Sequence, residues 1–291
     1  MNLNKRDVIR FIEERYGFKT KKVLGQNFLV DKAVIDSIVD GSFVDDTCLA
    51  IEIGPGIGVI THELCMKARK VVSIELDKTL IPILEDTLKE FDNFRVINED
   101  VLKVDFEALI KEEMEKDPEI KHVKVIGNLP YYITTPIIMK LFEDNIKCDS
   151  ITVMMQKEVA DRIRAKVNTK EYGTLAIATQ YYSDISKVSD ASKESFYPKP
   201  EVDSTVLRLD IRDAALVNVK DKKLFFRVVK AGFAQRRKTL SNSMQTLGLL
   251  SKDQVKEALL NAGIDPIRRA ETLTIPEFAH LTDVICDMLR K

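Results

Sequence analysis

The first part of the chain alternates short apolar runs with longer segments whose apolar residues recur every three or four positions. The runs are rich in β-branched residues and have the length of buried strands. They lie at residues 48–53, 70–75, 94–97, 123–128 and 150–155. The intervening segments have helical periodicity, at residues 59–67, 78–90, 104–116 and 135–144. This alternation predicts an α/β fold with a doubly wound, mostly parallel sheet.

The pattern changes in the second part of the chain. Residues 174–186 and 204–211 are predicted as extended stretches, and the connection between them ends in Phe-Tyr-Pro-Lys-Pro at 196–200. The prolines favour extended backbone there. From about Lys220 the apolar spacing is wholly helical. We therefore predict two domains, residues 1–212 with the sheet and residues 213–291 as a smaller, all-helical domain.

The composition is that of a soluble globular protein with a sizeable core. Of the 291 residues, 45% are hydrophobic and 31% are charged. No run approaches the roughly 18 apolar residues of a membrane span, and the start of the chain lacks a secretory apolar region. The four cysteines are scattered without CxxC spacing. We expect reduced thiols, no metal site and a cytoplasmic location.

Charge is distributed unevenly, although the net charge is only -1. Residues 222–252 contain no acid. The basic residues of this segment are Lys222, Lys223, Arg227, Lys230, Arg236, Arg237, Lys238 and Lys252. A solvated helix face would usually mix both signs, so this asymmetry favours contact with the phosphates of RNA or DNA.

A glycine turn follows the first predicted strand and opens a helix. Gly54, Gly56 and Gly58 are spaced so that backbone can approach a ligand closely, because glycine has no Cβ. The dinucleotide fingerprint would place a further glycine where Val59 stands, which weakens a pyrophosphate interpretation without excluding it. The turn alone is a weak signal.

Acidic residues end the next two predicted strands. Glu75 could bind both hydroxyls of a ribose, and Asp100 could accept from an adenine amino group. Either acid alone is more often a solvated loop residue or a helix cap. Ligands of open parallel sheets bind at the carboxyl ends of the strands. Together with the glycine turn, the two acids predict a pocket for a nucleoside cofactor.

The segment Gly-Asn-Leu-Pro-Tyr-Tyr at 127–132 follows the fourth strand. The side-chain oxygen of Asn128 and a nearby main-chain carbonyl can accept both hydrogens of an exocyclic amine, and the following aromatic ring can stack on the base. Alone, the segment could be a proline-stabilised turn between strand and helix. Beside the glycine turn it indicates methyl transfer to an amino nitrogen.

Motifs along nearly the whole chain form a series that few families share. They lie at 24–29 (LGQNFL), 52–58 (EIGPGIG), 128–131 (NLPY), 156–160 (QKEVA), 172–173 (YG), 196–200 (FYPKP) and 233–238 (FAQRRK). On these motifs the chain resembles the ribosomal RNA adenine dimethyltransferases of the small-subunit type. The resemblance implies a Rossmann-like methyltransferase sheet and S-adenosylmethionine as cofactor.

The resemblance also implies roles for individual residues. The cofactor would be bound at its methionine end by Asn27 and Leu29, from beneath by Gly54 and Gly56, at its ribose by Glu75, at its adenine by Asp100 and Val101, and beside the target base by Asn128. Tyr131 would stack on that base and Phe196 would close its other face, although Phe196 could equally be a core aromatic. The rRNA phosphates would be gripped by Arg236, Arg237 and Lys238, whereas the sequence does not decide whether Arg268, Arg269 and Glu271 are structural links.

The predicted chemistry rests on orientation and electrostatics. Asn128 and a carbonyl in the Leu129–Pro130 stretch would accept both amine hydrogens, localise the lone pair on nitrogen and stabilise the developing positive charge. No His or Cys is placed to act as base or nucleophile, and the histidines are expected to be structural or surface residues. Because a monomethylated amine has one hydrogen left, we expect the first transfer to be the faster one.

The leading hypothesis is dimethylation of two adjacent adenosines near the 3′ end of small-subunit (16S) rRNA, with a role in small-subunit biogenesis. The expected partner is the small ribosomal subunit, with no membrane and no obligatory protein partner. Three alternatives remain: the relative that methylates large-subunit RNA, a non-catalytic assembly factor, and a nicotinamide-dependent dehydrogenase.

Overall fold

The computed structural model describes residues 3–21 and 24–290. The helices of this part are α1 (Arg6–Tyr16), α2 (Lys32–Gly41), α3 (Val59–Cys65), α4 (Ile81–Thr87), α5 (Phe106–Lys116), α6 (Thr134–Glu143), α7 (Lys157–Ile163), α8 (Thr174–Tyr182), α9 (Lys222–Phe233), α10 (Leu240–Ser243), α11 (Lys252–Asn261) and α12 (Ile275–Leu289). The strands are β1 (Phe28–Leu29), β2 (Cys48–Ile53), β3 (Lys70–Glu75), β4 (Phe94–Asn98), β5 (His122–Asn128), β6 (Ser150–Gln156), β7 (Ser183–Ala191), β8 (Phe196–Tyr197) and β9 (Ser204–Ile211).

The predicted parallel sheet is present. Its seven strands run in the order β4-β3-β2-β5-β6-β9-β7, and the first five are mutually parallel. β9 pairs with β6 in the antiparallel direction. The chain winds outward from β2 in one direction and from β5 in the other, so a topological switch point lies between these two strands. The prediction of a doubly wound, mostly parallel α/β fold is confirmed.

The central strands form because their residues are buried on both faces. All six residues of β2 are buried, as a strand covered by helices on either side requires. Gly127 of β5 lies opposite Ile53 of β2, and a Cβ on Gly127 would be 2.7 Å from the carbonyl oxygen of Ile53. Only glycine therefore allows these two strands to approach so closely at the switch point.

The prediction of extended backbone at residues 174–186 is wrong for most of these residues. The helix α8 occupies Thr174–Tyr182, and extended backbone begins only with β7 at Ser183. The first six residues of α8 include five that are buried, from Leu175 to Thr179. A helix that is apolar on all sides has no amphipathic period, so its sequence cannot be told from that of a buried strand.

The described chain divides into two compact units. One contains the residues up to Ala160 and Asp184–Ile211, and the other contains Asp161–Ser183 and the residues from Arg212 onward. The predicted boundaries placed 161–183 in the first domain, and the structure groups this segment with the second unit. Aromatic packing accounts for the difference, because Tyr181 of α8 stacks on Phe225 of α9 with ring centroids 5.2 Å apart. None of the described helices is long and apolar enough to cross a membrane.

Candidate active site

A cavity in the first unit opens where the parallel strands end. Its volume is about 1020 Å³ when its solvent-filled mouth is included, which suits a small-molecule ligand. The carboxyl ends of β2, β3, β4 and β5 and the loops that follow them line it, and each contributes at least one predicted site residue. The first of them along each strand end are Gly54, Glu75, Asp100 and Asn128. The segment 24–29 lines the cavity as well and brings in Asn27 and Leu29.

The glycine turn lines the cavity with main chain. Gly54, Gly56 and Gly58 have φ of 72°, 60° and 90°, in the left-handed region that side chains disfavour. A Cβ on Gly56 would lie 3.1 Å from the ring of Phe28. The turn therefore requires glycine both for its backbone conformation and for its packing, and it ends where α3 begins at Val59.

Glu75 is a buried carboxyl group that lines the cavity and is 7% exposed. Burial raises its pKa to about 7, although main-chain hydrogen bonds from Asp77 and Gly56 act in the opposite direction. The Asp77 N–H donates to Oε1 at 2.7 Å. An ionised carboxylate has about four lone-pair sites on its two oxygens, so Glu75 retains capacity for a hydroxyl donor.

Asp100 both caps a helix and lines the cavity. Its Oδ1 accepts from the Leu102 N–H at 3.0 Å, at the start of a short 3₁₀ helix over Val101–Lys103. One oxygen of this carboxylate, Oδ1, is therefore a helix cap. The other, Oδ2, accepts no hydrogen bond from the described residues. Val101 also lines the cavity.

The amide of Asn128 is held in one orientation. Its Nδ2 donates to the main-chain carbonyl of Asn27 at 3.1 Å. The acceptor end of the amide, Oδ1, receives no hydrogen bond from any described residue and is not among the buried, unsatisfied side-chain atoms. The amide therefore presents a free acceptor at the end of β5.

After Asn128, only one of the next two main-chain carbonyls lacks a hydrogen bond from the described part of the chain and could serve as the second acceptor beside Asn128 Oδ1. The Pro130 carbonyl already accepts from the Ile133 N–H at 3.1 Å and from Thr134 Oγ1 at 3.0 Å. The carbonyl of Leu129 accepts no hydrogen bond within the described ranges. Of the two carbonyls in the Leu129–Pro130 stretch, only that of Leu129 is left without a donor among the described residues.

The two predicted aromatic residues occupy different environments. Tyr131 lines the cavity, and its hydroxyl lies 2.7 Å from Ser204 Oγ. Phe196 is 1% exposed and belongs to the core, with its backbone opposite Leu29 in a two-stranded ladder. The structure thus gives Phe196 the core position that was the alternative to base stacking, and it does not bring the ring to the cavity.

Three polar residues that organise the cavity wall were not predicted from the sequence. Asp77 is 4% exposed and accepts from Lys21 Nζ at 2.7 Å and from Gln26 Nε2 at 2.8 Å. Burial alone would raise the pKa of Asp77, but these hydrogen bonds and those from Thr79 outweigh it and lower the pKa to about 2. The only signal in the sequence was a second acid two residues after Glu75.

The predicted phosphate-binding residues lie in the second unit and differ in their contacts. Arg236 is exposed, but its guanidinium donates to the carbonyl of Lys170 and, at 3.3 Å, to that of Tyr172. Arg237 and Lys238 are exposed and have no side-chain partner in the part of the chain that the structure describes. Arg268 is a structural link, since it donates to Thr272 Oγ1 at 3.1 Å and Glu277 Oε1 at 2.5 Å.

Comparisons with known proteins agree with this geometry. The family model for ribosomal RNA adenine dimethylase matches residues 17–287. A protein of Clostridioides difficile strain 630 named ribosomal RNA small subunit methyltransferase A is 49% identical over 283 residues, which are 97% of this chain and 96% of that protein.

Two solved structures are similar over most of their length. A dimethyladenosine transferase from Plasmodium falciparum superposes with a TM-score of 0.73 at 23% identity, covering 87% of this chain and 95% of the other. The 23S rRNA methyltransferase ErmE gives a TM-score of 0.65 at 25% identity, covering 89% of this chain and 100% of the other. The family match over almost the whole sequence, on a fold whose strand ends carry the expected residues, shows that this chain belongs to the ribosomal RNA adenine dimethylase family.

Proposed function

We propose that this enzyme transfers two methyl groups to the 6-amino group of each of two adjacent adenosines near the 3′ end of small-subunit (16S) rRNA. The observation that carries the proposal is the pair of free acceptors at the end of β5, Asn128 Oδ1 and the Leu129 carbonyl. They suit a group with two N–H donors, and the amino group of adenine is such a group. The choice of the small subunit is supported by 49% identity to a relative named for that subunit, against 25% to the 23S enzyme ErmE.

The methyl donor of this enzyme is S-adenosylmethionine, and the cavity fits it. At Gly54, the glycine turn leaves the wall beside Asn128 without a side chain: this residue has a left-handed φ of 72°, and a Cβ there would make only ordinary contact, 3.7 Å from the Asn128 carbonyl oxygen. Glu75 would hold the ribose hydroxyls, Asp100 and Val101 the adenine, and Asn27 and Leu29 the methionine end. Bound in this way, the cofactor supplies an electrophilic methyl group.

The residues at the end of β5 would orient the nitrogen that attacks. Adenine's amino lone pair is delocalised into the ring, so the nitrogen is a weak nucleophile until it becomes pyramidal. Asn128 Oδ1 and the Leu129 carbonyl accept one hydrogen each and favour that geometry. They also stabilise positive charge on the nitrogen in the transition state, and they are already in place before the reaction.

Base stacking would come from Tyr131, whose ring lines the cavity. A stacked base contributes about 1–3 kcal/mol, enough to hold an extruded adenine without reading its sequence. Phe196 would have to leave the core to take part, so we assign stacking to Tyr131 alone. No general base is required, because the methylated ammonium product loses its proton easily.

Contact with rRNA phosphates would come from Arg237 and Lys238, whose side chains are exposed and unpaired within the described chain. Phosphate contacts position a protein on RNA and carry no sequence information. Arg236 would act indirectly, because it fastens the 170–172 turn to the end of α9. Binding to the small subunit also fits a role in its biogenesis, in the cytoplasm where ribosomes assemble.

The proposal is tested by offering labelled S-adenosylmethionine and this enzyme to purified small and large subunits that lack the methyl marks. We expect label in N6,N6-dimethyladenosine of the small subunit, at two neighbouring positions. Label in the large subunit would support the ErmE-like alternative. If Asn128→Ala abolished methylation yet retained the full cellular effect of the protein, the assembly-factor alternative would describe its main role.

A further inference from the structure

Asp77 joins two parts of the cavity wall that are distant in the sequence. Its carboxylate accepts from Lys21 Nζ at 2.7 Å and from Gln26 Nε2 at 2.8 Å. Gln26 Oε1 in turn accepts from the Lys21 N–H at 2.7 Å. The segment around Gln26 is therefore fastened to the loop after β3 by a closed set of hydrogen bonds. Burial of Asp77, which is 4% exposed, keeps water from competing for them.

The residue after Gln26 is the one that orients the Asn128 amide. Asn27 accepts from Asn128 Nδ2 through its main-chain carbonyl at 3.1 Å, and its own side chain donates to the Gly25 carbonyl at 3.1 Å. If the segment moved, the carbonyl of Asn27 would move with it. The Asn128 amide could then rotate and present Nδ2, a donor, to the target amine.

Asp77 also acts on the cofactor side of the cavity through its main chain. Its N–H donates to Glu75 Oε1 at 2.7 Å. A single residue thus contacts the carboxylate assigned to the ribose and, through Gln26 and Asn27, the amide assigned to the base. The Asp77 carboxylate accepts from four protein donors: Lys21 Nζ, Gln26 Nε2, and the N–H and Oγ1 of Thr79. An acid in a solvated loop would have neither this burial nor these donors.

We propose that Asp77 is a positioning residue for methyl transfer, which holds Gln26 and thereby sets the Asn27 carbonyl that orients the Asn128 amide. This inference rests on the proposed role of Asn128. It assigns to Asp77 and Gln26 a function in the rate of transfer, with a smaller effect on cofactor affinity through Asn27 and Leu29. A misplacement of about 1 Å in an orienting group can cost about a hundredfold in rate.

The test compares Asp77→Asn and Gln26→Ala with Asp86→Asn. Asp86 is a matched control, because its carboxylate also fastens the N-terminal region, accepting from Tyr16 Oη at 2.5 Å, while its polar partners among the described residues lie outside 24–27. We expect both test variants to lower the single-turnover rate of the first methyl transfer by about tenfold to a hundredfold. Affinity for S-adenosylhomocysteine should fall by less than the rate does, because Asn27 and Leu29 hold only one end of the cofactor, and the control should resemble the wild type.

A second comparison separates positioning from a general loss of structure. In an Asn128→Ala background, Gln26→Ala should cause no further loss of rate, because the amide that it orients is gone. An equal loss in both backgrounds would overturn the inference, as would a crystal structure of Gln26→Ala with the Asn128–Asn27 hydrogen bond intact. A wild-type rate for Asn128→Ala alone would instead refute the proposed function, and this inference with it.

Discussion

Two carboxylates at the end of β3 show how strongly local surroundings decide the chemistry of a residue. Glu75 and Asp77 are both buried, at 7% and 4% exposure. Burial raises the pKa of Glu75 to about 7, whereas donors from Lys21, Thr79 and Gln26 lower the pKa of Asp77 to about 2. At neutral pH Asp77 is a fixed anion that holds its neighbours, and Glu75 is poised to change its charge.

The titration of Glu75 predicts that cofactor binding depends on pH. As pH rises through about 7 the carboxyl ionises and becomes an acceptor for both ribose hydroxyls. Affinity for S-adenosylhomocysteine should therefore rise by up to about tenfold per pH unit below 7 and level off above it. Titration calorimetry from about pH 5.5 to about pH 8.5 covers both sides of this transition and measures the effect directly.

Glu75→Gln provides the contrast, since its amide does not ionise. This variant should bind more weakly at high pH and show a flat profile. Glu85→Gln, an exposed change on α4, should keep the wild-type profile. A Glu75→Gln profile as steep as that of the wild type would assign the pH dependence to another group.

At the scale of elements, β2 carries a buried acid in the middle of the sheet. Glu52 is 1% exposed, and its Oε2 accepts from Thr61 Oγ1 at 2.6 Å and from Ser73 Oγ at 2.9 Å. Burial raises its pKa from 4.5 to about 7 despite these two hydrogen bonds. The hydroxyls of Thr61 and Ser73 fasten β2 to α3 and β3.

The raised pKa of Glu52 predicts that the free energy of unfolding depends on pH. Between pH 4.5 and about 7 the folded state retains a proton on Glu52 that the unfolded state has lost, so stability falls as pH rises. The loss can reach about 3 kcal/mol, at 1.36 kcal/mol for each unit of pKa shift. Glu52→Gln keeps an acceptor for both hydroxyls and removes the titration.

Urea denaturation of both proteins across that pH range tests the prediction. The stability of Glu52→Gln relative to the wild type should improve by up to about 3 kcal/mol as pH rises. A constant difference between the two proteins would mean that Glu52 titrates normally in the fold.

The helices and strands show where the local sequence pattern was sufficient to predict secondary structure. The strands β2 to β6 were predicted within one residue. Strands buried on both faces, such as β2 and most of β6, read as continuous apolar runs. The same property made α8 look extended, since neither element has an amphipathic period. The strand ends predicted Gly54, Glu75, Asp100 and Asn128 together, because carboxyl ends of parallel strands meet at one edge.

What sequence reasoning could not supply were contacts between distant segments. Gln26 and Asp77 are 51 residues apart, and no spacing rule links them. The burial of Phe196 and the attachment of Arg236 to the 170–172 turn depend likewise on tertiary packing. For Phe196 and Arg236, the structure makes the predicted role less direct.

At the scale of the whole molecule, the two units carry different kinds of surface. The first unit holds the cavity, and the second presents the acid-free segment 222–252 on a helical scaffold. Along α9 the exposed positions include Lys223, Arg227 and Lys230, while Leu224 and Val228 face the core. This division suits an enzyme whose grip on RNA is electrostatic and whose base selection occurs in the cavity.

Replacing Arg237 and Lys238 by Ala should weaken binding to the small subunit and flatten its salt dependence. Each lost phosphate contact removes about 0.7–0.9 from the slope of log affinity against log salt. Filter binding at several salt concentrations gives the slope, with Lys256→Ala and Arg290→Ala, both exposed and outside the acid-free segment, as the matched pair. Cofactor affinity should be unchanged, and an unaltered slope would remove these two residues from the RNA contact.

Methyl transfer by the proposed route depends most on the Asn128 amide, which is held by Asn27 and whose oxygen accepts from no described residue. The most direct measurement is the single-turnover rate of the first methyl transfer to unmethylated small subunits by Asn128→Ala and by the wild type. We predict a loss of about a hundredfold to a thousandfold, the scale on which one preorganised polar group acts, with S-adenosylhomocysteine affinity nearly unchanged. A variant that methylates the small subunit at the wild-type rate would contradict this role for the amide.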